Sequence, residues 1–427
     1  MKLAVVGGGW AGMACAVEAT RAGHAVTVFE AARQWGGRAR ALPATLPDGT
    51  PVLLDNGQHI LIGAYTETLA LMARVGVDAG TALQRIPLVL RFPDGGGLSL
   101  PQLPHWLDQA TRRLAPLDVL AGVLAARGWS WRDKLSLLQT SARWQRQGFT
   151  CADTATVADL CATLTPRVQA ELTEPLCLSA LNTPTAEASG RVFLRVLDDA
   201  LFKTPGGSQL LLPRIDLGGL FPDAADRWLR QHGARTEVGR RVRTLAREGA
   251  GWRVDGEPFD RVVLACSPWE AARLAAGAAP QWAAAAEALG HEAIATVYLH
   301  GDTRLPAPML ALRCRADAPA QFVFDRGQLG GPRGLLACVI SASSADRESL
   351  QRQVLAQARE QLGVADLQPV LTVVERRATF ACVPGLVRPP QAVAPGLQAC
   401  GDYVDGAYPA TLEGAVRSAI EAVRAIT

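Results

Sequence analysis

The sequence has 427 residues, of which 49% are hydrophobic and 19% are charged, so it encodes a soluble globular protein with a large core and not a disordered chain. The formal net charge of +3 is too small to indicate a nucleic-acid partner. A chain of this length exceeds what one core serves, which predicts two domains with a binding crevice between them.

Cysteine usage and the apolar runs indicate the compartment. The nine cysteines include no C-x-x-C pair and lie mostly among apolar neighbours, as reduced core residues do, and we expect no metal site. The N-terminus enters a strand at once, which leaves no room for a signal peptide, and the apolar runs are far shorter than the roughly 18 residues of a membrane span. We therefore expect a cytoplasmic protein, and any contact with a membrane would be peripheral.

The N-terminal segment carries a dinucleotide-binding motif. The apolar run Leu3–Val6 predicts a strand, and Gly7, Gly9 and Gly12 follow it in the spacing G-x-G-x-x-G. The first glycine permits the tight turn, the second lets the backbone approach a pyrophosphate, and the third lets the helix pack close to the strand. Glu30 ends a second apolar strand, where its carboxylate can accept hydrogen bonds from a ribose 2′-hydroxyl. The helix N-terminus then faces the phosphates.

The residues after this motif favour a flavin over a nicotinamide. The stretch from Glu30 to Arg38, which contains the turn Gly36-Gly37, resembles the extended fingerprint of FAD-dependent amine oxidases and carotenoid desaturases. In that superfamily the arginine lies along the FAD phosphates. The resemblance implies this position for Arg38.

The middle of the chain divides into helical and alternating patterns. Residues 66–204 show mostly helical periodicity, as in 134–144, whereas residues 291–340 alternate in part as strands do. Residues 104–149 are rich in tryptophan and arginine and fit two interpretations, an interfacial surface or helix core with exposed arginines. Their tryptophans are Trp106, Trp129, Trp131 and Trp144.

Two later segments resemble further parts of an FAD domain. Residues 261–266 form a buried-strand pattern, and Val242 matches the position whose backbone commonly meets the adenine in such enzymes. A last strand ends in Gly401-Asp402, and Thr411 opens the helix that follows. This pattern of strand, short loop and helix resembles the second FAD motif of the superfamily. The resemblance implies that Asp402 binds the ribityl-phosphate region and that the helix N-terminus faces the isoalloxazine.

These pieces predict an α/β protein with a discontinuous FAD-binding domain. This Rossmann-like domain, of the glutathione-reductase type, would contain residues 1–65, 205–270 and 385–427. Residues 66–204 and 271–384 would form an α+β substrate domain, a sheet covered by helices over the flavin.

Three segments narrow the resemblance to the family of bacterial hydroxysqualene dehydroxylases, also called squalene-associated FAD-dependent desaturases. They are Gly-Gly-Gly-Trp-Ala-Gly-Met near the start, Leu-Asp-Asn-Gly-Gln-His-Ile-Leu-Ile-Gly-Ala-Tyr at residues 54–65, and residues 401–419. The family reduces hydroxysqualene to squalene, the precursor of hopanoids, with reduced FAD as the electron donor. The resemblance implies an apolar triterpene substrate here, and it leaves open an association with squalene-pathway prenyltransferases.

The resemblance also implies which residues bind FAD, namely the two motifs and the loop beside the flavin ring. They are Gly7, Gly9, Trp10, Ala11, Gly12, Glu30, Ala31, Gly37, Arg38, Gly57, Gln58, His59, Val242, Asp402, Thr411, Leu412 and Ala415.

The expected chemistry sets requirements for the site. Replacing an allylic hydroxyl needs a proton for the departing oxygen and a hydride for the resulting cation, and flavin N5 supplies the hydride. The protein must provide a dry apolar tunnel, a proton donor and no nucleophile that traps a cation. His59 is the first candidate donor, because an imidazole titrates near neutrality, and Tyr408 and Asp405 follow. Lysine is absent from residues 271–427, so the lysine–water pair of amine oxidases has no candidate there.

Two other functional classes stay open. One is an oxidative polyprenyl desaturase or amine oxidase on the same fold. The other is a non-catalytic protein that holds FAD or a polyprenyl lipid, for instance as a scaffold for prenyltransferases. Anaerobic reoxidation of the reduced protein by hydroxysqualene distinguishes these classes, because only a dehydroxylase predicts it.

Overall fold

The computed structural model describes residues 1–101, 117–343 and 345–426. Its strands are, in chain order, β1 (Lys2–Val6), β2 (Ala25–Phe29), β3 (Ala41–Thr45), β4 (Pro51–Asp55), β5 (Leu61–Ile62), β6 (Leu83–Ile86), β7 (Val89–Arg91), β8 (Gly97–Ser99), β9 (Leu210–Pro213), β10 (Arg235–Glu237), β11 (Leu245–Glu248), β12 (Gly251–Val254), β13 (Glu257–Phe259), β14 (Arg261–Leu264), β15 (His291–His300), β16 (Met309–Ala311), β17 (Phe322–Asp325), β18 (Leu335–Ser341), β19 (Gln368–Phe380), β20 (Ala392–Ala394) and β21 (Leu397–Ala399).

The α-helices of the same residues are α1 (Trp10–Arg21), α2 (Thr66–Arg74), α3 (Ala79–Ala82), α4 (Leu117–Ala125), α5 (Trp131–Arg146), α6 (Val157–Cys161), α7 (Pro166–Val168), α8 (Glu174–Leu181), α9 (Gly190–Leu197), α10 (Leu217–Leu220), α11 (Pro222–Gln231), α12 (Pro268–Ala275), α13 (Pro280–Glu287), α14 (Arg347–Leu362) and α15 (Leu412–Arg424). Two π-helical turns, Gln169–Thr173 and Asp198–Lys203, and a 3₁₀ turn, Arg326–Leu329, complete the helical elements.

Six strands from three distant parts of the chain form the central sheet, in the order β10-β2-β1-β14-β21-β20. The first five strands are parallel, with Val5 between Val28 and Val263, and β20 adds an antiparallel edge. The near-continuous apolar sequence of β1 is what burial on both faces of a parallel sheet requires. The sheet, with the helices that cover it, confirms the α/β fold class.

Helices cover this sheet on the face that carries Leu3 and Val5. Helix α1 packs against α15 and α11, and its alanine-rich sequence lets the helices approach closely. Residues 66–86 share this core, because α2 packs on α15 and β6 pairs with β9. The division into an FAD domain and a substrate domain stays a prediction.

A second, antiparallel sheet has the order β16-β17-β18-β15-β19 and confirms the strands expected from alternation in residues 291–340. Its two faces differ, because neighbouring side chains point to opposite sides of a strand. Val297 and Val323 belong to the core that α14 covers, whereas Phe322 and Phe324 face the other way, into the cavity described below.

From residue 117 onward, where the structure describes it, the tryptophan-rich region is mostly helical. Trp129 and Trp144 are buried, Trp131 is exposed, and Trp106 lies outside the described residues. The two buried tryptophans fit the interpretation as core, and the interpretation as an interfacial surface stays a prediction. No helix in the described parts of the chain is both long enough and apolar enough to cross a membrane.

Candidate functional site

A cavity of about 950 Å³ lies where the central sheet faces the second sheet. The carboxyl ends of β1, β2 and β14, the loop after β21 and the inner face of the second sheet line it. In open α/β sheets ligands bind beyond the carboxyl ends of the strands. The volume lies at the upper end of the usual range for cofactor and small-molecule sites, so this cavity is the candidate site.

The close approach of α1 to β1 requires glycine at two positions, Gly7 in the turn and Gly12 in the first part of the helix. Gly7 has a φ of +117°, and a Cβ built there would lie 2.6 Å from the Ala265 carbonyl oxygen. A Cβ on Gly12 would lie 1.8 Å from the Gly7 carbonyl oxygen, so only glycine lets α1 pass this close to β1. Gly9 differs, because the atoms nearest to a Cβ there are 3.9 Å away and Gly9 itself lines the cavity.

The N-terminus of α1 opens into the cavity. Gly9, Trp10 and Ala11 line it, and among the described residues no side chain caps the first turn. Backbone N–H groups of an uncapped first turn need partners, and the helix dipole favours negative charge there. This end of the cavity fits the pyrophosphate of FAD.

Glu30 follows β2 beside the same turn. Its carboxylate accepts hydrogen bonds from the backbone N–H groups of Gly8 and Ala32, at 2.6 and 2.7 Å. A carboxylate has about four lone-pair positions, so acceptor capacity is left for a ribose hydroxyl. Ala31 and Val242 line the cavity near Glu30.

Arg38 and Asp402 join the two FAD motifs. Arg38 Nη2 donates to Asp402 at 2.5 Å, and Nη1 donates to the Ala378 carbonyl oxygen at 2.6 Å. Burial alone would lower the pKa of Arg38, but Asp402 and Glu375 raise it, so the guanidinium stays charged. Arg38, which is expected to contact the FAD phosphates, and Asp402, which is expected to bind the ribityl-phosphate region, thus form one ion pair.

Tyr403 carries a hydroxyl group that the described residues leave without a hydrogen bond. The side chain is 3% exposed, and it lines the cavity next to Asp402. A buried polar group without a partner costs about 1–3 kcal/mol, so we expect a ligand atom to meet it. The phosphate oxygens and ribityl hydroxyls of FAD are partners of the required kind. This orphaned hydroxyl, together with the open α1 N-terminus, fits FAD.

Beyond the FAD motifs, the cavity wall is largely apolar. The sequence has lysine only at Lys2, Lys134 and Lys203, and none of these lines the cavity. The wall side chains come from the helical segment, from β7 and β9 and from the second sheet; they include Leu88, Leu90, Leu176, Leu178, Phe193, Val196, Leu197, Leu201, Leu210, Ile294, Met309, Phe322, Phe324 and Val339. Such a wall excludes water and offers no amine to a reactive cation.

His59 is partly buried in the loop that lines this cavity. Its Nδ1 lies 2.7 Å from the Gly57 carbonyl oxygen. Burial lowers the pKa of His59, the contact with Gly57 raises it in part, and Arg38 lowers it further, so the net pKa is below the ordinary value. A neutral imidazole that donates from Nδ1 presents a bare Nε2, which accepts a proton and does not give one.

Tyr408 and Asp199 line the same cavity, and Arg195, an exposed residue outside the lining, contacts both. The Tyr408 hydroxyl interacts with the Asp199 carboxylate and the Arg195 guanidinium, and Arg195 Nε donates to Asp199 at 2.8 Å. Burial raises the pKa of Tyr408 most; Arg417 and, less strongly, Arg195 lower it, Asp199 raises it, and the net pKa is above the ordinary value. Tyr408 therefore keeps its proton throughout the neutral range.

Sequence reasoning missed Asp199 and Arg195. Asp199 belongs to the π-helical turn Asp198–Lys203, and Arg195 precedes it by four residues in α9. An Arg–Asp pair at this spacing is common on any helix surface, so no local signal marks it as part of a site.

The structure brings most of the predicted site residues together. All residues expected to bind FAD line the cavity except Gly12, which packs behind it against Gly7. Asp405, a candidate proton donor, is exposed and is not among the lining residues, and its backbone N–H donates to the Pro389 carbonyl oxygen at 2.9 Å. Asp405 is therefore not placed to donate a proton to a substrate in the cavity. The other assignments stay predictions.

Comparisons with known proteins agree with this geometry. A family model described as flavin containing amine oxidoreductase matches residues 10–427. The chain belongs to this family. It is an FAD-dependent oxidoreductase.

Two curated relatives are similar along nearly the whole chain. The hydroxysqualene dehydroxylase of Rhodopseudomonas palustris is 28% identical, over 97% of this chain and 95% of its own length. The hydroxysqualene dehydroxylase of Sinorhizobium fredii is 25% identical over the same shares, 97% and 95%. The solved structure of an oxidoreductase from Methanosarcina mazei has a TM-score of 0.73 and covers 99% of this chain and 100% of its own, at 16% identity. The resemblance inferred from the sequence is confirmed.

Substitution of Gly9 is expected to remove FAD without unfolding the protein. A valine adopts the extended backbone of Gly9 readily and meets no protein atom closer than 3.9 Å at Cβ, but its side chain fills the space that a pyrophosphate needs. Flavin released by acid precipitation of Gly9→Val should be near zero, while the Tm of the apoprotein is unchanged. Gly277→Val, at an unobstructed position outside the cavity, is the matched control. Normal flavin content in Gly9→Val would reject the site.

Tyr403→Phe tests the orphaned hydroxyl. Because this hydroxyl has no partner among the described residues, its removal should not lower apoprotein stability and should weaken FAD binding by about 1 kcal/mol, roughly fivefold in Kd. Titration of apoprotein with FAD measures the affinity. Tyr298→Phe is the control, because its hydroxyl donates to the Asp55 carbonyl oxygen at 2.8 Å and its loss should affect stability instead. An unchanged Kd in Tyr403→Phe would contradict the assignment.

Proposed function

We propose that this enzyme replaces the hydroxyl group of hydroxysqualene with hydrogen to give squalene. The proposal rests chiefly on one cavity in which the FAD motifs meet a lysine-free apolar wall and the side chains of Tyr408 and Asp199, which Arg195 contacts from outside the lining. The similarity to two hydroxysqualene dehydroxylases over about their whole length supports it. Bound FAD, in its reduced form, supplies the hydride that replaces the hydroxyl.

In this proposal different residues of the site bind the cofactor and the substrate. The open N-terminus of α1, Glu30 and Arg38 hold the cofactor, while the apolar wall binds the triterpene by area and keeps water out. Because binding is spread over many apolar contacts, no single polar group is needed for affinity. Tyr408 and Asp199 are then free to serve the departure of the hydroxyl.

Tyr408 is the proposed proton donor. In the step that it serves, the Tyr408 O–H bond and the carbon–oxygen bond of the substrate break, and the oxygen leaves as water. Asp199 holds the phenol beforehand, and the guanidinium groups of Arg195 and Arg417, which lie 5.8 and 5.3 Å from the ring centroid, stabilise the phenolate afterwards. The phenolate then regains a proton from solvent.

His59 takes a different role in this proposal. Its lowered pKa and its bond to Gly57 leave Nε2 without a proton, so it acts as a hydrogen-bond acceptor in the loop beside the flavin. Gln58 supports this loop, because its amide accepts from Arg326 Nη1 at 3.2 Å and donates to the His59 carbonyl oxygen at 3.2 Å.

The other functional classes explain fewer of these features. An amine oxidase of the kind considered above would hold a lysine–water pair at the flavin, and no lysine lines this cavity. A scaffold that only binds FAD or lipid has no use for a tyrosine held between a carboxylate and two arginines.

The substrate also bears on location and partners. Hydroxysqualene and squalene are long hydrocarbons that partition into lipid and not into water. We therefore propose that the enzyme contacts a membrane peripherally, and that it associates with the prenyltransferases that form hydroxysqualene.

The reaction is tested with enzyme that has been reduced anaerobically and mixed with hydroxysqualene in detergent micelles. We expect flavin reoxidation together with squalene formation, and a decrease of about 10²–10⁴-fold in this rate for Tyr408→Phe with normal FAD content. Stopped-flow absorbance of the oxidised flavin measures the rate. Tyr65→Phe, which alters another tyrosine of the cavity, is the control and should react normally. No reoxidation of the unaltered enzyme would reject the function, and a normal rate in Tyr408→Phe would reject the donor.

The pH dependence of the same rate separates the two candidate donors. Tyr408 has a pKa above the ordinary value of 10 and stays protonated below it, so the rate should be flat from about pH 6 to about pH 9. If His59 were the donor, its lowered pKa would make the protonated fraction fall about tenfold for each pH unit over this range. A rate that decreases steadily as the pH rises would therefore transfer the role to His59.

A further inference from the structure

The exposed large hydrophobic side chains are concentrated in one place. Half of those among the described residues lie within residues 117–135, and the other half are scattered from residue 1 to residue 387. The concentrated ones are Leu117, Leu120, Leu124, Trp131 and Leu135, with exposed fractions of 39, 38, 43, 69 and 51%. We call them the α4–α5 surface. A cluster of this kind marks an interaction site, whereas isolated exposed apolar residues are ordinary.

Helical spacing and packing join these side chains into one surface. Leu117, Leu120 and Leu124 follow at intervals of three and four residues and share one side of α4. Helices α4 and α5 pack together, and the Lys134 ammonium group links them. It donates to the Leu124 carbonyl oxygen at 2.7 Å and lies 5.3 Å from the centre of the Trp131 ring.

The exposed charged side chains of α4, α5 and their connection have one sign. Residues 117–146 contain two acids, Asp118 and Asp133, and both are buried, at 6 and 7% exposure. Asp133 is held in the capping box at the start of α5. The exposed ionisable residues of these helices and their connection are arginines, among them Arg127 and Arg132. The surface therefore combines aliphatic and indole groups with positive charge.

The α4–α5 surface lies on the outside of the cavity wall. Leu90 of β7 lines the cavity, and β7 pairs with β8. Helix α4 packs on β8, where a Cβ on Gly122 would lie 2.5 Å from Leu100 and 3.1 Å from the Ser99 carbonyl oxygen. A hairpin and one helix thus separate the cavity from the exposed leucines.

We propose that the α4–α5 surface docks this enzyme on an anionic lipid bilayer. Leucine and tryptophan side chains insert at the boundary between headgroups and acyl chains, and the flanking arginines contact the headgroup phosphates. The absence of exposed acids in these two helices favours a negatively charged surface over a protein partner of mixed charge. The choice of lipid also rests on the proposed function, because a triterpene substrate resides in a membrane.

Co-sedimentation with vesicles tests the proposal on the full-length holoenzyme. We expect binding to vesicles of phosphatidylcholine with about 30% phosphatidylglycerol, weaker binding to pure phosphatidylcholine, and a decrease in binding with salt. The double variant Trp131→Ser/Leu135→Ser removes the two most exposed side chains of the surface and should lower the affinity at least about tenfold. Arg132→Glu reverses one charge and should lower the affinity for anionic vesicles by about tenfold or more, with a smaller effect on neutral ones.

Matched controls exclude a general loss of surface hydrophobicity or of fold. Leu53→Ser and Val387→Ser alter side chains that are 55 and 81% exposed elsewhere, and both should bind vesicles normally. The FAD content and Tm of every variant identify any that misfold. Leu120→Ser/Leu124→Ser then provides a second test on the other helix.

Three outcomes would overturn the proposal. The first is unchanged vesicle binding in both double variants, and the second is no vesicle binding by the unaltered enzyme. The third is a dimer in gel filtration that the same variants dissociate while vesicle binding is absent, which would make the surface an interface between two copies of the chain. Turnover of hydroxysqualene in detergent micelles needs no bilayer, so a failure of the proposed reaction would appear there independently of these results.

Discussion

The contact between Gly12 and the carbonyl group of Gly7 is the constraint on which the cofactor end of the molecule depends. Because glycine at position 12 leaves no side chain between the two elements, α1 can start directly behind the end of β1. The uncapped N–H groups at the start of α1 then open into the cavity. The neighbouring strands are parallel to β1, so their carboxyl ends reach the same edge. This arrangement brings Glu30 and Asp402, which are far apart in the sequence, to one site, because the central sheet combines strands from distant parts of the chain.

Charge is distributed unevenly along the cavity. At the FAD end, Arg38 is compensated by Asp402, so the buried guanidinium has a partner whether or not a phosphate is bound. On the substrate side no lysine lines the wall, and Asp199 pairs with Arg195 and Lys203, both of which lie outside the lining. Arg38, Asp402 and Asp199 thus have charged partners within the protein, and most of the remaining wall is apolar. A hydrocarbon chain can then bind without desolvating an unpaired charge.

The parts of this structure that local sequence determines could be predicted, and the parts that depend on distant contacts could not. The glycine turn and Glu30 follow from short-range geometry, because strand, turn and helix are adjacent in the chain. The Arg38–Asp402 pair joins residues 364 positions apart, and no local pattern indicates that they meet. Asp199 reaches the cavity from a π-helical turn that no sequence pattern predicts. Likewise, helical periodicity did not separate buried Trp129 from exposed Trp131, because burial depends on what packs against each helix.

The proposed choice of proton donor depends on how readily each group, once deprotonated, would attack the carbocation. A carboxylic acid that gives up its proton becomes a carboxylate, which can capture the cation as an ester, and an unhindered imidazole can be alkylated. A phenol with a raised pKa is neutral until the moment of transfer, and two guanidinium groups then share the charge of the phenolate and reduce its nucleophilicity. Burial has a parallel effect on His59, because the pKa that it lowers also measures how readily Nε2 attacks an electrophile. The same desolvation that makes His59 a poor acid therefore makes it a weak nucleophile toward the cation, and this is why Tyr408 and not His59 is the donor that we propose.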